Sequence, residues 1–141
     1  EPNISANGLY NPKTNRMTIK DFKESEVTDQ NLERTLFHEL LHSLQTNNED
    51  AKLNLEIEAH LAVYRYAVRK GVSLADGKYG MMMLLSGTMD SKYNITDTDS
   101  YNEFYQRAIN AFKEIDFYKN FQESPSARNM NTNKNLAKDC E

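Results

Sequence analysis

The stretch Thr28-Asp29-Gln30-Asn31-Leu32-Glu33-Arg34-Thr35-Leu36-Phe37-His38-Glu39-Leu40-Leu41-His42-Ser43-Leu44-Gln45-Thr46 decides how this chain is read. Thr28 offers a hydroxyl N-cap and Asp29 an acid in the first turn, both signals of a helix start. The helix is expected to run to about Thr46, where Asn47-Asn48 can end it. At about 100° per residue, Leu32, Leu36, Phe37, Leu40, Leu41 and Leu44 cover roughly half of the circumference. Thr35, His38, Glu39, His42, Gln45 and Thr46 take the other side, so an apolar back and a polar front are expected.

On a helix, residues i and i+4 are neighbours on one face, which brings the imidazoles of His38 and His42 together. Two imidazoles at that spacing can bind one zinc ion. Zinc lowers the pKa of a coordinated water towards ~7, and a carboxylate beside it can take the proton as the water attacks a carbonyl. Glu39 is placed to be that base. The spacing is specific: the chain has three His, and two of them fall here. A solvated helix face with two incidental His is the plainer alternative.

A catalytic zinc takes three protein ligands and keeps one position open. A Gly and a third His could follow in an HxxGxxH pattern, but Gln45 and Asn48 occupy those places. The ligand must then come from a second helix, expected from Ala51 to about Lys70, capped by Asn48-Glu49-Asp50 and closed by Gly71. Leu53, Ile57, Leu61, Tyr64 and Val68 form its apolar stripe. Glu56, Glu58 and His60 are its candidate ligands. Glu58 and His60 lie about 200° apart around the helix and cannot both face one metal. Glu58 is the leading candidate, because Ala51 and Ala62 on its face permit close approach; Arg65 shares that face. Glu56 and His60 share another face at i, i+4 and remain the alternatives.

Outward from these two helices the signals are weaker. Residues 1–15 are rich in Asn, Gly and Pro and read as loop, with a turn at Pro12-Lys13-Thr14-Asn15. Arg16–Lys20 alternates apolar and polar and suits a half-buried strand. Residues 21–27 form a charged connection. Met81–Leu85 reads as a short buried element of helical type, and Met81-Met82-Met83 as core. Residues 87–100 read as a polar loop. A further helix is expected from Asn102 to about Phe121, with Phe104, Ala108, Ile109, Phe112, Ile115 and Phe117 as its apolar set. The tail 123–141 is polar with little to bury, so it is expected to be mobile or held by a neighbour. The domain is therefore drawn as 1–122.

Hydrophobic residues at 38% and charged ones at 27% are ordinary for a folded globular domain. The net charge of −4, with no basic run, argues against nucleic acid as a partner. No apolar stretch approaches the ~20 residues of a membrane span. Cys140 is the single cysteine, so neither an internal disulfide nor a Cys-based metal site is available. The chain begins at Glu1, not Met, from which removal of an N-terminal segment is expected; compartment and oligomeric state stay open.

The segments Arg34–His42 and Glu56–Ala59 resemble the zincin metallopeptidases, and within their glutamate-ligand group the ImmA/IrrE-type family. That family has an Arg-Thr-Leu-x-His-Glu-x-x-His helix followed by a Glu-x-Glu-Ala helix. The resemblance covers roughly residues 8–66. It implies His38, His42 and Glu58 as zinc ligands, Glu39 as general base, and Arg16–Lys20 as an edge strand along which an extended peptide lies. It implies an α+β, mainly helical, zincin-like fold and a zinc peptidase acting on a peptide or protein substrate. Zincins usually carry a small sheet before the active helix, whereas one good strand is legible here, and residues 72–141 match no pattern of the family. A metal-binding or interaction domain without catalysis is the alternative function. Arg65, Tyr66, Tyr79 and Tyr93 are candidate donors to a developing oxyanion, each with a structural role as the commoner one.

Overall fold

The computed structural model describes residues 8–19, 29–74 and 77–139, with the side chains of Ile19 and residues 29–31 set aside. Thr28, the connection 21–27 and Cys140 lie outside the described residues. The chain forms two compact units, Glu1–Asn47 and Asn48–Glu141. It is mainly helical with one small sheet, an α+β composition.

The first unit holds a two-stranded antiparallel hairpin and one helix. Strand β1, Gly8–Asn11, pairs with β2, Arg16–Ile19, in the register Gly8↔Ile19 to Asn11↔Arg16. The turn between them lies at 12–15, as its Pro and Asn content predicts. Asn11 Oδ1 accepts from the backbone N–H groups of Lys13 and Thr14, and Asn15 takes a left-handed φ of 52°, which Asn tolerates better than most residues. Tyr10 fastens the turn by donating its hydroxyl to Asn15 Oδ1 at 2.8 Å. Residues 8–11, read from the sequence as loop, are thus a strand. Gly and Asn at its two ends hid a Leu-Tyr pair that the partner strand recruits.

Helix α1, Asp29–Leu44, packs on the hairpin. Its faces are inverted from the amphipathic expectation. Glu39 is 4% exposed and Thr35 is buried, whereas Leu36 is 43% and Leu40 52% exposed; Leu32 and Leu44 also face solvent. Leu41 is the one leucine of the set that is buried.

The second unit is built around α2, Lys52–Arg69. A single 3-10 turn, Glu49–Ala51, leads into it, capped by Asn48, whose side chain accepts from Asp50 N–H. Gly71 ends it at φ 75°. Gly71 N–H bonds Val68 O and Val72 N–H bonds Ala67 O, the pair that closes a helix through a left-handed residue. Eleven residues of α2 are buried, among them Glu56, Glu58 and His60, so it is enclosed rather than amphipathic.

Helices α3, Gly77–Ser86, and α4, Thr98–Lys113, pack on each other and on α2. Met82 and Leu85 of α3 enter the core while Met83 points outward. α4 starts four residues before the expected Asn102, because Asp97 is its N-cap and accepts from Ser100 N–H and Ser100 Oγ. It therefore buries Tyr101 and Tyr105 along with Ala108, Ile109 and Phe112. It ends at Lys113, before the expected Phe121, and turns carry the chain on through Tyr118.

The C-terminal stretch departs most from expectation. Met130 is buried in the core and α5, Asn131–Asp139, docks on α2. Asn54 of α2 holds the approach to it: its amide donates to Tyr105 Oη and Ser124 O, and its oxygen accepts from Ser124 N–H. Polar composition masked a segment held by hydrogen bonds more than by apolar area. No helix among the described residues is long and apolar enough to cross a membrane.

Candidate metal site

α1 places His38 and His42 one turn apart, and their Nε2 atoms lie 2.9 Å from each other. The rings meet edge to face at 4.5 Å between centroids. Two ligands on a tetrahedral zinc at ~2.0–2.1 Å from the metal sit about 3.3 Å apart. Separating the two nitrogens by a few tenths of an ångström therefore accommodates the ion, so the pair fits zinc.

Gln45 completes this half of the site. His42 Nδ1 and Gln45 Oε1 are 2.8 Å apart, with the ring N–H donating to the amide oxygen. A proton held on Nδ1 leaves the lone pair on Nε2, the nitrogen that faces His38. The sequence puts Gln45 on the polar face of the helix, and its i, i+3 relation to His42 is the signal for this contact. Glu39 is buried, with its Oε1 4.0 Å from His38 Nε2. A carboxylate kept out of bulk water next to the candidate ligands is what a general base there requires.

On α2 the three candidate ligands divide between two sides, as the 200° offset predicts. Glu58 Oε2 accepts from the backbone N–H groups of Thr132 at 3.1 Å and Asn133 at 3.4 Å, capping the first turn of α5 from another helix. Asn133 Nδ2 returns a bond to Glu58 O at 3.1 Å. Glu56 and His60 face the other way and converge, Glu56 Oε2 lying 3.8 Å from His60 Nε2. The hydroxyl of Tyr118 is 3.1 Å from the same nitrogen. Nothing in the local sequence marked Tyr118, which sits in a turn where a helix was expected.

The candidate oxyanion donors are distributed unevenly. Arg65 donates Nε to Ser86 Oγ, Nη1 to Asp90 O and Nη2 to Ser86 O, and its guanidinium lies 4.3 Å over the Tyr93 ring. Burial pulls its pKa below the ordinary arginine value. Burial pushes the Tyr93 phenol up, with the nearby Arg65 charge opposing. These two residues clamp the 86–94 loop. Tyr66 is half-buried with Lys70 Nζ 5.6 Å over its ring. Tyr79 lies beside one candidate ligand, its ring 6.0 Å from that of His60.

Comparison with known proteins returns no family model, no curated protein and no solved structure that matches the chain.

Proposed function

We propose that this protein is a zinc-dependent peptidase of zincin-like type. His38 and His42 hold the metal, a donor from α2 completes the protein ligands, and Glu39 is the general base. The observation that carries the reading is the 2.9 Å approach of the two Nε2 atoms on one helix, with His42 oriented by Gln45 and Glu39 buried alongside. Zinc, when bound, supplies a Lewis acid that polarises a carbonyl and lowers the pKa of water. Glu39 takes the proton of the attacking water and returns it to the leaving nitrogen. Strand β2 offers a backbone edge to an extended peptide.

For the α2 ligand, Glu58 Oε2 already accepts from two backbone amides of α5, with which a metal on that oxygen would compete. Glu56 and His60 remain the alternatives on α2, and His60 Nε2 is itself 3.1 Å from the Tyr118 hydroxyl. A second reading is a zinc held for structure, which takes four protein ligands and leaves no open position. The domain would then be a metal-stabilised interaction module.

The deciding experiment is hydrolysis of a mixed peptide library by the zinc-loaded chain, with a chelator control and the Glu39→Gln variant in parallel. Chelator-sensitive cleavage that is lost in Glu39→Gln supports the peptidase. Stoichiometric zinc without cleavage supports the structural site, and a chain that takes up no zinc refutes both.

A further inference from the structure

The stretch from Gln122 to Asn133 is held chiefly through its own main chain. Leu53 N–H donates to Gln122 O at 2.9 Å. Asn54 takes both backbone groups of Ser124, its Nδ2 donating to the carbonyl at 3.1 Å and its Oδ1 accepting from the N–H at 2.9 Å. The Tyr101 hydroxyl donates to Arg128 O. Glu58 Oε2 accepts from Thr132 and Asn133 N–H. These groups belong to α2 and α4, which the bond from Asn54 Nδ2 to Tyr105 Oη ties together. Backbone groups are the same in every peptide, so such contacts fix the path of a chain and leave its identity to side-chain pockets. Three side chains supply identity here. Met130 is 2% exposed and lies in the core, the Arg128 guanidinium stands 5.1 Å over the Tyr105 ring, and Asn133 Nδ2 donates to Glu58 O at 3.1 Å. Beyond Met130 the stretch buries little, Asn133 being the one buried residue of α5. A segment attached by hydrogen bonds that water can replace opens more readily than the packed helices beneath it.

We propose that the face shared by α2 and α4 is a peptide-reading seat, and that the 122–139 stretch of a second copy takes it when the chain's own stretch opens, giving an exchanged dimer. The second copy is the occupant because it carries every matching feature at the right spacing. Those features are the backbone groups of Ser124, Arg128, Thr132 and Asn133, the apolar side chain of Met130 and the amide of Asn133. Each bond of the closed chain is remade between copies, so exchange needs no new complementarity and is favoured as concentration rises. Tyr118, buried in the core just before the stretch, fixes where the hinge begins. No residue of α1 takes part, so the exchange is independent of the metal reading.

The probe is a synthetic peptide of residues 122–139, added to the full chain carrying Met130→Asp. A carboxylate cannot be buried at that position without a large penalty, so the chain's own stretch is expelled and the seat is open to the peptide. Thermal unfolding is followed by circular dichroism with and without peptide. The expected result is an unfolding temperature that rises and saturates with added peptide, or recovery of a folded transition if the variant alone has none. A peptide carrying Met130→Asp should bind at least about 10-fold more weakly, since it lacks the core side chain. A peptide carrying Asn135→Ala, changed at an exposed position, should match the parent peptide. No effect of the parent peptide, or an equal effect of the Met130→Asp peptide, overturns the proposal. The exchange itself is read on the parent chain, concentrated, warmed to its unfolding midpoint and cooled. Size exclusion with light scattering should then show a dimer that excess peptide reduces. Monomer alone, or a dimer that the peptide leaves unchanged, also overturns the proposal.

Discussion

Replacing Glu58 tests whether that carboxylate is a structural cap or a metal ligand. In Glu58→Ala the first turn of α5 loses its acceptor, and the N–H groups of half-buried Thr132 and buried Asn133 are left without it. Each buried donor left unsatisfied costs about 1–3 kcal/mol, and loss of a helix cap by itself costs about 1 kcal/mol. Allowing partial rehydration of the first turn, the net loss is about 3 kcal/mol. For a chain of this length that lowers the midpoint of thermal unfolding by roughly 10 °C. Glu58→Gln keeps an acceptor oxygen and loses the charge. Charge-assisted bonds are roughly twice as strong as neutral ones, so about half the penalty is expected. The assay is thermal unfolding followed by circular dichroism on chelator-treated protein, with zinc affinity measured on the same samples. The cap predicts two graded stability losses and near-parental zinc affinity in Glu58→Gln. Unchanged unfolding temperatures together with collapsed zinc affinity would refute the argument and restore Glu58 as the ligand that the family resemblance implies.

Three further outcomes are expected. Glu39→Gln keeps its zinc, while peptide hydrolysis falls by about 10²–10⁴, the range for loss of a general base; undiminished turnover in a metal-replete sample would sink that role. Gln45→Ala weakens zinc binding about 10-fold or more, since it frees His42 Nδ1, whereas exposed Leu36→Ala leaves it unchanged; the same chelator competition reads both. The third concerns acid. The hydrogen bonds from Ser100 hold the Asp97 carboxyl below its ordinary value, as those from Asn94 hold Asp90. A depressed carboxylate contributes stability that is present above its unfolded pKa, near ~4, and is lost as pH falls through the lower folded value. Urea unfolding of Asp97→Asn should therefore show a shallower acid limb than the parent below about pH 4. Parallel pH curves would show that the cap carries no linked proton.

The parts of the fold legible in the sequence were those with a local signature. The His-Glu-Leu-Leu-His spacing placed two imidazoles on one helix face, and Gly71 marked the end of α2 where a left-handed residue is needed. The 200° separation of Glu58 from His60 followed from helix geometry alone, and they do engage different partners. Other features were settled by residues far away in the chain. Which side of α1 faces solvent could not be read from its own periodicity, because a row of leucines usually marks the inner face. The polar tail looked unable to fold because its attachments are Asn54 to Ser124 and Glu58 to Thr132, pairings 70 and 74 residues apart. Tyr118 was invisible for the same reason: its bond to His60 spans 58 residues.

The Glu58 cap also bears on the order in which the chain becomes structured. The partner amides of Glu58 lie 74 residues downstream. At translation rates of about 5–20 residues per second, they are made roughly 4–15 s after Glu58 itself. Throughout that interval Glu58 has no α5 amides to accept from. The helix that organises the second unit is therefore completed late, by the strand of chain synthesised last among its partners. Any interruption of synthesis before residue 130 leaves Glu58 without the α5 amides it accepts from and the core without Met130. Truncated products of this chain should consequently be cleared as misfolded species instead of persisting as a smaller, working domain.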